Sequence, residues 1–292
     1  MPFITKIFDI SESLPAYKFV MQTLQCNINQ AQKILDKGRL RQQDSPIKKN
    51  QRIMGKIELS YFEPCDIGLK PLFANENFCV FDKPHDLLIH PKGRYYHYSL
   101  NDALKYHFGH QANAIHRLDK ETSGLVLCAT NPQSEVSLKN LMMQHQIHKT
   151  YLAKVEGKLT QEIFIDEPII TQKHLGGDLC IKSAIDTKGK PSQTQIQPLK
   201  YDKDSNTSLV RAIPLTGRTH QIRLHLSHIG HRILGDPLYG VEKAYSRDYL
   251  AGILTPKQYA LFFGAPHLCL NAHTLHFTFQ QRSYHFQSKK HL

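Results

Sequence analysis

The 292-residue sequence has no tryptophan and no C-x-x-C pair. Its six cysteines (Cys26, Cys65, Cys79, Cys128, Cys180 and Cys269) are scattered. Neither a disulfide framework nor a cysteine-based metal site follows from such spacing, and reduced thiols that pack as small core residues are expected. No apolar run approaches the roughly 20 residues that cross a bilayer. The opening MPFITKIFDISES lacks a basic start followed by a long apolar stretch, so a cytoplasmic protein is expected, with no membrane partner. G-x-G-x-x-G, Walker A and G-x-S-x-G strings are missing, which argues against nucleotide cofactors and α/β-hydrolase chemistry. Low-complexity tracts and internal repeats are missing too.

Negative charge is also short. Aspartate and glutamate number 25 against 37 lysines and arginines, for a formal net charge of +12. That excess favours a polyanionic partner, nucleic acid first and an acidic membrane surface second. Hydrophobic residues make up 40% and charged residues 21%, the balance of a folded chain, and the length suggests about two domains.

Residues 13–64 read as a small basic module. LPAYKFVMQTLQ has helical spacing. NINQAQKILDKG offers a second helix with Asn27 or Asn29 as N-cap and Gly38 as the stop. A polar turn at Gln43–Pro46 leads to a strand over KIELSYF. Lys33, Lys37, Arg39, Arg41, Lys48, Lys49, Arg52 and Lys56 face only Asp36 and Asp44 within residues 33–56, half the net charge of the chain. A charge run is as readily a solvated face as a phosphate-binding one.

Beyond residue 70 the texture changes. FCVFDKP, GLVLCATNP, HKTYLAKVEG, PSQTQIQPLK, SLVRAIPL and AHTLHFTF predict strands, the last closing the chain. SLNDALKYHFG predicts a helix capped by Ser99 with Asp102, and Asn131-Pro132 opens a helix through Met143. TGRTHQIRLHLSHIG predicts a helix ending at Gly230, with Arg223 one turn after Thr219 on the same face. Strands occur both in adjacent groups and alternating with helices. That favours an α+β fold with a mixed or antiparallel sheet. Residues 241–266 carry no signal beyond a helix-bearing excursion.

HRLDKETSG, residues 116–124, gathers Arg117, Lys120, Asp119 and Glu121 in one loop. Alone, Asp119 reads first as a solvated carboxylate. An ordinary aspartate is about one part in a thousand protonated at neutral pH, so it is a poor general acid. It suits attack on a sugar carbon or stabilisation of positive charge there. Glu121 makes a paired-carboxylate glycosidase conceivable, but a separation of two residues has no special geometry. Arg223 reads as a surface cation unless it meets a buried acid, and Tyr151 as a core residue unless it faces a cleft. His225, His228 and His231 do not have the spacing of a helical metal site, and no metal is expected.

Three strings alter that balance together. HRLDKETSGLVL (116–127), KTYLAKVEG (149–157) and TGRTHQIRLHLSHIGHRILGDPLYG (216–240) resemble, in order, the signature segments of the RluA-type pseudouridine synthase family. FDKPHDLLIHP (81–91) resembles its entry strand. The resemblance implies a catalytic domain over residues 70–285, an α+β pseudouridine synthase fold with a mixed, mostly antiparallel sheet, and a central cleft. By position in the strings, it implies Asp119 as the catalytic aspartate, Tyr151 as the platform for the target base and Arg223 as the partner of the aspartate. His116, Arg117, Thr122, Arg218 and His220 would shape the cleft and hold RNA. Residues 13–64 resemble, more loosely, an S4-type RNA-binding domain, in which Lys33, Lys37, Arg39 and Arg41 would meet phosphates. The expected activity is isomerisation of uridine in structured RNA by a monomer without cofactor. Large-subunit ribosomal RNA is the expected substrate, with transfer RNA as the alternative. A silent RNA chaperone and a uracil-releasing glycosylase are the rival readings.

Overall fold

The structure, a computed structural model, describes residues 3–91, 98–171, 181–290 and 292. Cys180 lies outside them. The described residues fall into two compact units. The first runs to Ile67, and the second begins at Gly68 and carries the remainder apart from residues 91–98.

In the first unit, strand β1 (Phe3–Pro15) leads to helices α1 (Ala16–Leu24) and α2 (Ile28–Asp36). Short strands β2 (Leu40–Gln42) and β3 (Ser45–Pro46) and the long β4 (Arg52–Phe62) follow. The sheet order is β1-β4-β2-β3. The N-cap of α2 is Asn27: its side chain accepts from the Gln30 N–H at 3.0 Å, and the Gln30 side chain accepts from the Asn27 N–H at 3.0 Å. Gly38 follows with φ +64, the left-handed conformation that ends helices most cheaply at glycine. Phe19, Val20, Ala31 and Leu35 from the helices close over Ile53, Ile57 and Leu59 of β4. Residue 13, where the sequence starts the basic module, falls inside β1, whose pairing with β4 begins at Phe3↔Phe62. The charged face is outward: Lys33, Lys37, Arg41, Lys48, Lys49, Arg52 and Lys56 are exposed.

The second unit is built on one large mixed sheet. Its elements are β5 (Phe73–Ala74), β6 (Phe78–Lys83), α3 (Leu100–Phe108), β7 (Asn113–Ala114), β8 (Ser123–Ala129), α4 (Pro132–Met143), β9 (His148–Glu156), β10 (Ile163–Asp166), β11 (Ile169–Thr171), β12 (Ser183–Ile185), β13 (Gln193–Asp202), β14 (Thr207–Pro214), α5 (Gln221–His228), α6 (Lys243–Ala251), α7 (Pro256–Phe263), β15 (Leu270–Phe279) and β16 (Arg282–Gln287). The strand order is β10-β13-β14-β9-β15-β8-β6-β5, with β16 on β15 and β7 on β8. The β15–β8 pair is parallel and its neighbours are antiparallel. Strand β8 is buried along its whole length, as its run GLVLCA requires at the centre of a sheet.

The predicted caps of α3 and α4 are present at Ser99 and Asn131, with Pro132 opening the latter. AHTLHFTF does not close the chain, because β16 follows it. The turn between them uses Gln280 and Gln281 at φ 48 and 62. The excursion over 241–266 contains α6 and α7. Helix α5 starts only at Gln221, so Thr219 is not on it and shares no helical face with Arg223.

Candidate active site

Asp119 lies in the loop between β7 and β8, at the mouth of the sheet. Two features fix that loop. Lys83, fully buried at the end of β6, donates from Nζ to the carbonyls of Pro84 (2.9 Å), Leu87 (2.8 Å) and Lys120 (3.1 Å), so it grips the residue after Asp119. Burial lowers its pKa to about 7. The three acceptors match the three donors of the ammonium, which the neutral amine could not satisfy. Gly124, the second residue of β8, takes φ +109, and a Cβ there would collide with the backbone of Ala272 on β15. Only glycine lets these two parallel strands meet at that point.

Arg223, on α5 and 1% exposed, is the centre of the charge network. Its Nε and Nη2 donate to the two oxygens of Asp236, both at 2.8 Å. Its Nη1 reaches Glu121 Oε2 at 3.3 Å and Asp119 Oδ2 at 3.5 Å. The expected Arg223–Asp119 pair therefore forms, but as the long arm of a three-carboxylate cluster whose tight, bidentate partner is Asp236. Glu121, which the sequence places as a possible second catalytic carboxylate, instead accepts from Arg223 and from the hydroxyl of Tyr249 at 2.6 Å.

Burial by itself would raise the Asp119 carboxyl. His220, Arg223 and Arg117 together hold it below the ordinary aspartate value. Burial keeps the His220 imidazole low, so at neutral pH the lasting counter-charge comes from arginine. His220 has another task. Tyr239 accepts from the Ser183 N–H at 2.7 Å, and its hydroxyl oxygen lies 2.9 Å from His220 Nδ1, in hydrogen-bond contact. That contact fixes the ring with Nε2 3.8 Å from Asp119 Oδ1. His220 itself takes φ +57, the bend that turns the chain into α5.

Tyr151 comes from β9, where its register partners are Ala212 and Ala272 on the two neighbouring strands. Flanking alanines leave the ring room to face the cleft. Burial and the nearby Asp119 raise its phenol well above the usual range, so it remains neutral. The cleft has a volume of about 320 Å³ and is lined by Asp119, Tyr151 and Arg223 together with His116, Arg117, Thr122, Arg218 and His220. Gln221 ties down its far wall: its Oε1 accepts from Thr216 Oγ1 and the Arg218 N–H, while its Nε2 donates to the Gln193 carbonyl and Thr194 Oγ1.

Arg117 and Arg218 are exposed at the rim. Thr122 is 2% exposed and belongs to the floor. His116, expected to shape the cleft and hold RNA, lines the cleft. Its Nε2 accepts from the Leu127 N–H at 3.2 Å, and burial with nearby Lys149 lowers its pKa to about 3. A neutral ring bonded to the β8 backbone braces the loop and carries no charge to a phosphate. Lys149, two residues before Tyr151, also lines the cleft, and nothing in the pattern of its strand marks it as a site residue.

Lys33, Lys37, Arg39 and Arg41 belong to the first unit. The first two and Arg41 are exposed, and the Arg39 guanidinium lies 4.2 Å over the Phe3 ring. The three histidines of the H-x-x-H-x-x-H string go separate ways. His225 is buried between Thr194 Oγ1 and the Glu167 carbonyl, His231 bonds the Glu156 carbonyl, and His228 is exposed. Among the described residues no group of three histidines, cysteines or carboxylates is placed to hold a metal ion. No helix among them is long and apolar enough to cross a membrane.

Comparison with known proteins bears on the same loop and cleft. A family model described as RNA pseudouridylate synthase matches residues 77–228. A protein of Helicobacter pylori strain J99 named "Uncharacterized RNA pseudouridine synthase" is 44% identical over 288 residues, covering 99% of this chain and 96% of that protein. More distant relatives differ in the RNA their names specify. "Ribosomal large subunit pseudouridine synthase D" of Zymomonas mobilis is 34% identical, over 67% of this chain and 63% of its own. The mitochondrial "tRNA pseudouridine(32) synthase" of Saccharomyces cerevisiae is 33% identical, over 62% of this chain and 39% of its own. Among solved structures, "Human RNA Pseudouridylate Synthase Domain Containing 1" superposes with a TM-score of 0.60 at 25% identity, covering 78% of this chain and 86% of that one.

Proposed function

The chain belongs to the RNA pseudouridylate synthase family, enzymes that are isomerases, and on that premise we propose that Asp119 is the residue that opens the glycosidic bond of a uridine in large-subunit ribosomal RNA. The observation that carries the proposal is the Asp119 carboxylate, 3.5 Å from a buried arginine, facing the same cleft as Tyr151.

The target nucleotide leaves its stack to enter the cleft, at a cost of a few kcal/mol. Arg117 and Arg218 at the rim and the basic face of the first unit offset that cost through phosphate contacts. Tyr151 presents a neutral ring to the uracil face. Asp119 attacks C1′, or takes a sugar proton to give a glycal. Both routes require it ionised, as the surrounding arginines keep it. The C1′–N1 bond breaks, the uracil turns, and C1′–C5 forms as the Asp119–C1′ bond breaks or, on the glycal route, as the sugar proton is returned. C5 loses its proton and N1 gains one, so the composition is unchanged and no outside reductant or oxidant enters.

Asp119→Asn, folded by circular dichroism, should make no pseudouridine in a carbodiimide primer-extension assay on RNA that the wild type modifies. Full activity in that variant would remove Asp119 from the chemistry, and binding without product in the wild type would favour a silent RNA chaperone. Release of free uracil would favour a glycosylase. For the substrate, the support is the basic module ahead of the catalytic unit and the ribosomal name of one relative. Mapping pseudouridine across total RNA with and without the gene tests it, and loss of a transfer-RNA site alone would reassign the substrate.

A further inference from the structure

The excursion over 241–266 is where the sequence is least informative, and the structure connects it to the charge network. Helix α6 supplies Tyr249, whose hydroxyl donates to Glu121 Oε1 at 2.6 Å. Helix α7 supplies Tyr259, whose hydroxyl donates to the carbonyl of Gly235, next to Asp236, at 2.8 Å. The two tyrosine rings meet edge to face at 5.8 Å, and both pack on Phe263, which is fully buried. One small helical pair thus braces the Glu121 carboxylate directly and the backbone beside Asp236, the two residues that compete with Asp119 for Arg223.

That competition has a definite geometry. Two of the three guanidinium nitrogens are committed to Asp236. The third, Nη1, must serve Glu121 at 3.3 Å and Asp119 at 3.5 Å. Glu121 is the nearer, so a more basic or more mobile Glu121 would draw Nη1 away from the cleft. A hydrogen bond to a carboxylate spreads its charge and fixes its plane. Tyr249 applies both constraints through Oε1, the oxygen that Arg223 does not bond. Burial and Glu121 keep the Tyr249 phenol protonated, so it remains a donor throughout the working range.

We propose that Tyr249 is a positioning residue for the isomerisation. By holding Glu121 through its other oxygen, it leaves the shared Arg223 nitrogen available to keep Asp119 ionised and aimed into the cleft. The inference rests on the assignment of Asp119 made above.

The test is a double-mutant cycle in the full-length protein on a modified RNA. Tyr249→Phe keeps the ring and its packing. At saturating RNA its single-turnover rate should fall about tenfold with the dissociation constant for RNA unchanged, a size typical of a slightly misplaced catalytic group. In a Glu121→Gln background, where the competing charge is gone, Tyr249→Phe should cost nothing further. A rate equal to wild type overturns the proposal. So does an equal cost in both backgrounds, or a loss that follows the folded fraction measured by circular dichroism, since each describes a merely structural tyrosine. If Glu121→Gln does not fold, the single variant decides through its rate and affinity. A wild-type protein that forms no pseudouridine would sink the functional proposal instead, so the two failures are separable.

Discussion

The carboxyl group of Asp119 is mostly covered yet is held below the ordinary aspartate value, because cationic neighbours outweigh the burial that would raise it. A carboxylate depressed on folding stabilises the native state above its unfolded pKa and loses that contribution as pH falls through the folded one. The difference in melting stability between the wild type and Asp119→Asn should therefore stay constant from about pH 8 to about pH 5, then shift against the wild type below about pH 4. Differential scanning calorimetry across that range checks it. A difference that changes between about pH 5 and 7 would mean that burial, not the cations, governs the group. Asp119, Tyr151 and Arg223, as residues of one cleft, were legible from short strings. Glu121 and Asp236 were not, because a buried, paired carboxylate and a solvated one are the same letter in a sequence. What distinguishes them is a guanidinium whose residue lies 102 positions from one and 13 from the other.

The elements that place these groups are β8, β9, β15 and α5, and the tightest constraint on them is at Gly124. A Cβ there meets the Ala272 backbone, and φ +109 is hostile to any L side chain. Gly124→Ala should destabilise the protein by more than about 1 kcal/mol and loosen the start of β8, three residues after Glu121. Urea denaturation with a rate assay checks both parts, and a variant as stable as wild type would show that β15 yields easily. Helices with local caps, such as α2, α3 and α4, were predictable because a cap is an interaction within three or four residues. Of the strands that escaped notice, β1 and β16 did so for a physical reason. Pairing of β1 with β4 joins Phe3 to Phe62, a match that no local pattern announces. The β15–β16 turn takes two glutamines into the left-handed region, where Asn-Gly is the usual sign of a hairpin.

For the molecule as a whole, net charge sets how it meets a polyanion. Lys33, Lys37 and Arg41 are exposed on the first unit, and on the proposed reading they meet phosphates. Replacing all three with glutamine should weaken RNA binding and make its salt dependence shallower. The log–log slope should fall by about 0.7 to 0.9 for each phosphate that is no longer neutralised, so by about two to three in all. A filter-binding titration across salt concentrations measures it. An unchanged slope would take these residues out of the interface. The sequence by itself determined the class of partner, the α+β character, the family resemblance and three residues of the cleft, because composition, local periodicity and contiguous strings are properties of a chain read in order. Only the tertiary structure decided that Arg223 divides its charge among three carboxylates, that His116 is a neutral brace, and that helices α6 and α7 brace Glu121 and the Asp236 loop. Those depend on which distant groups share one low-dielectric volume, where a few tenths of an ångström decide which ion pair is the stronger.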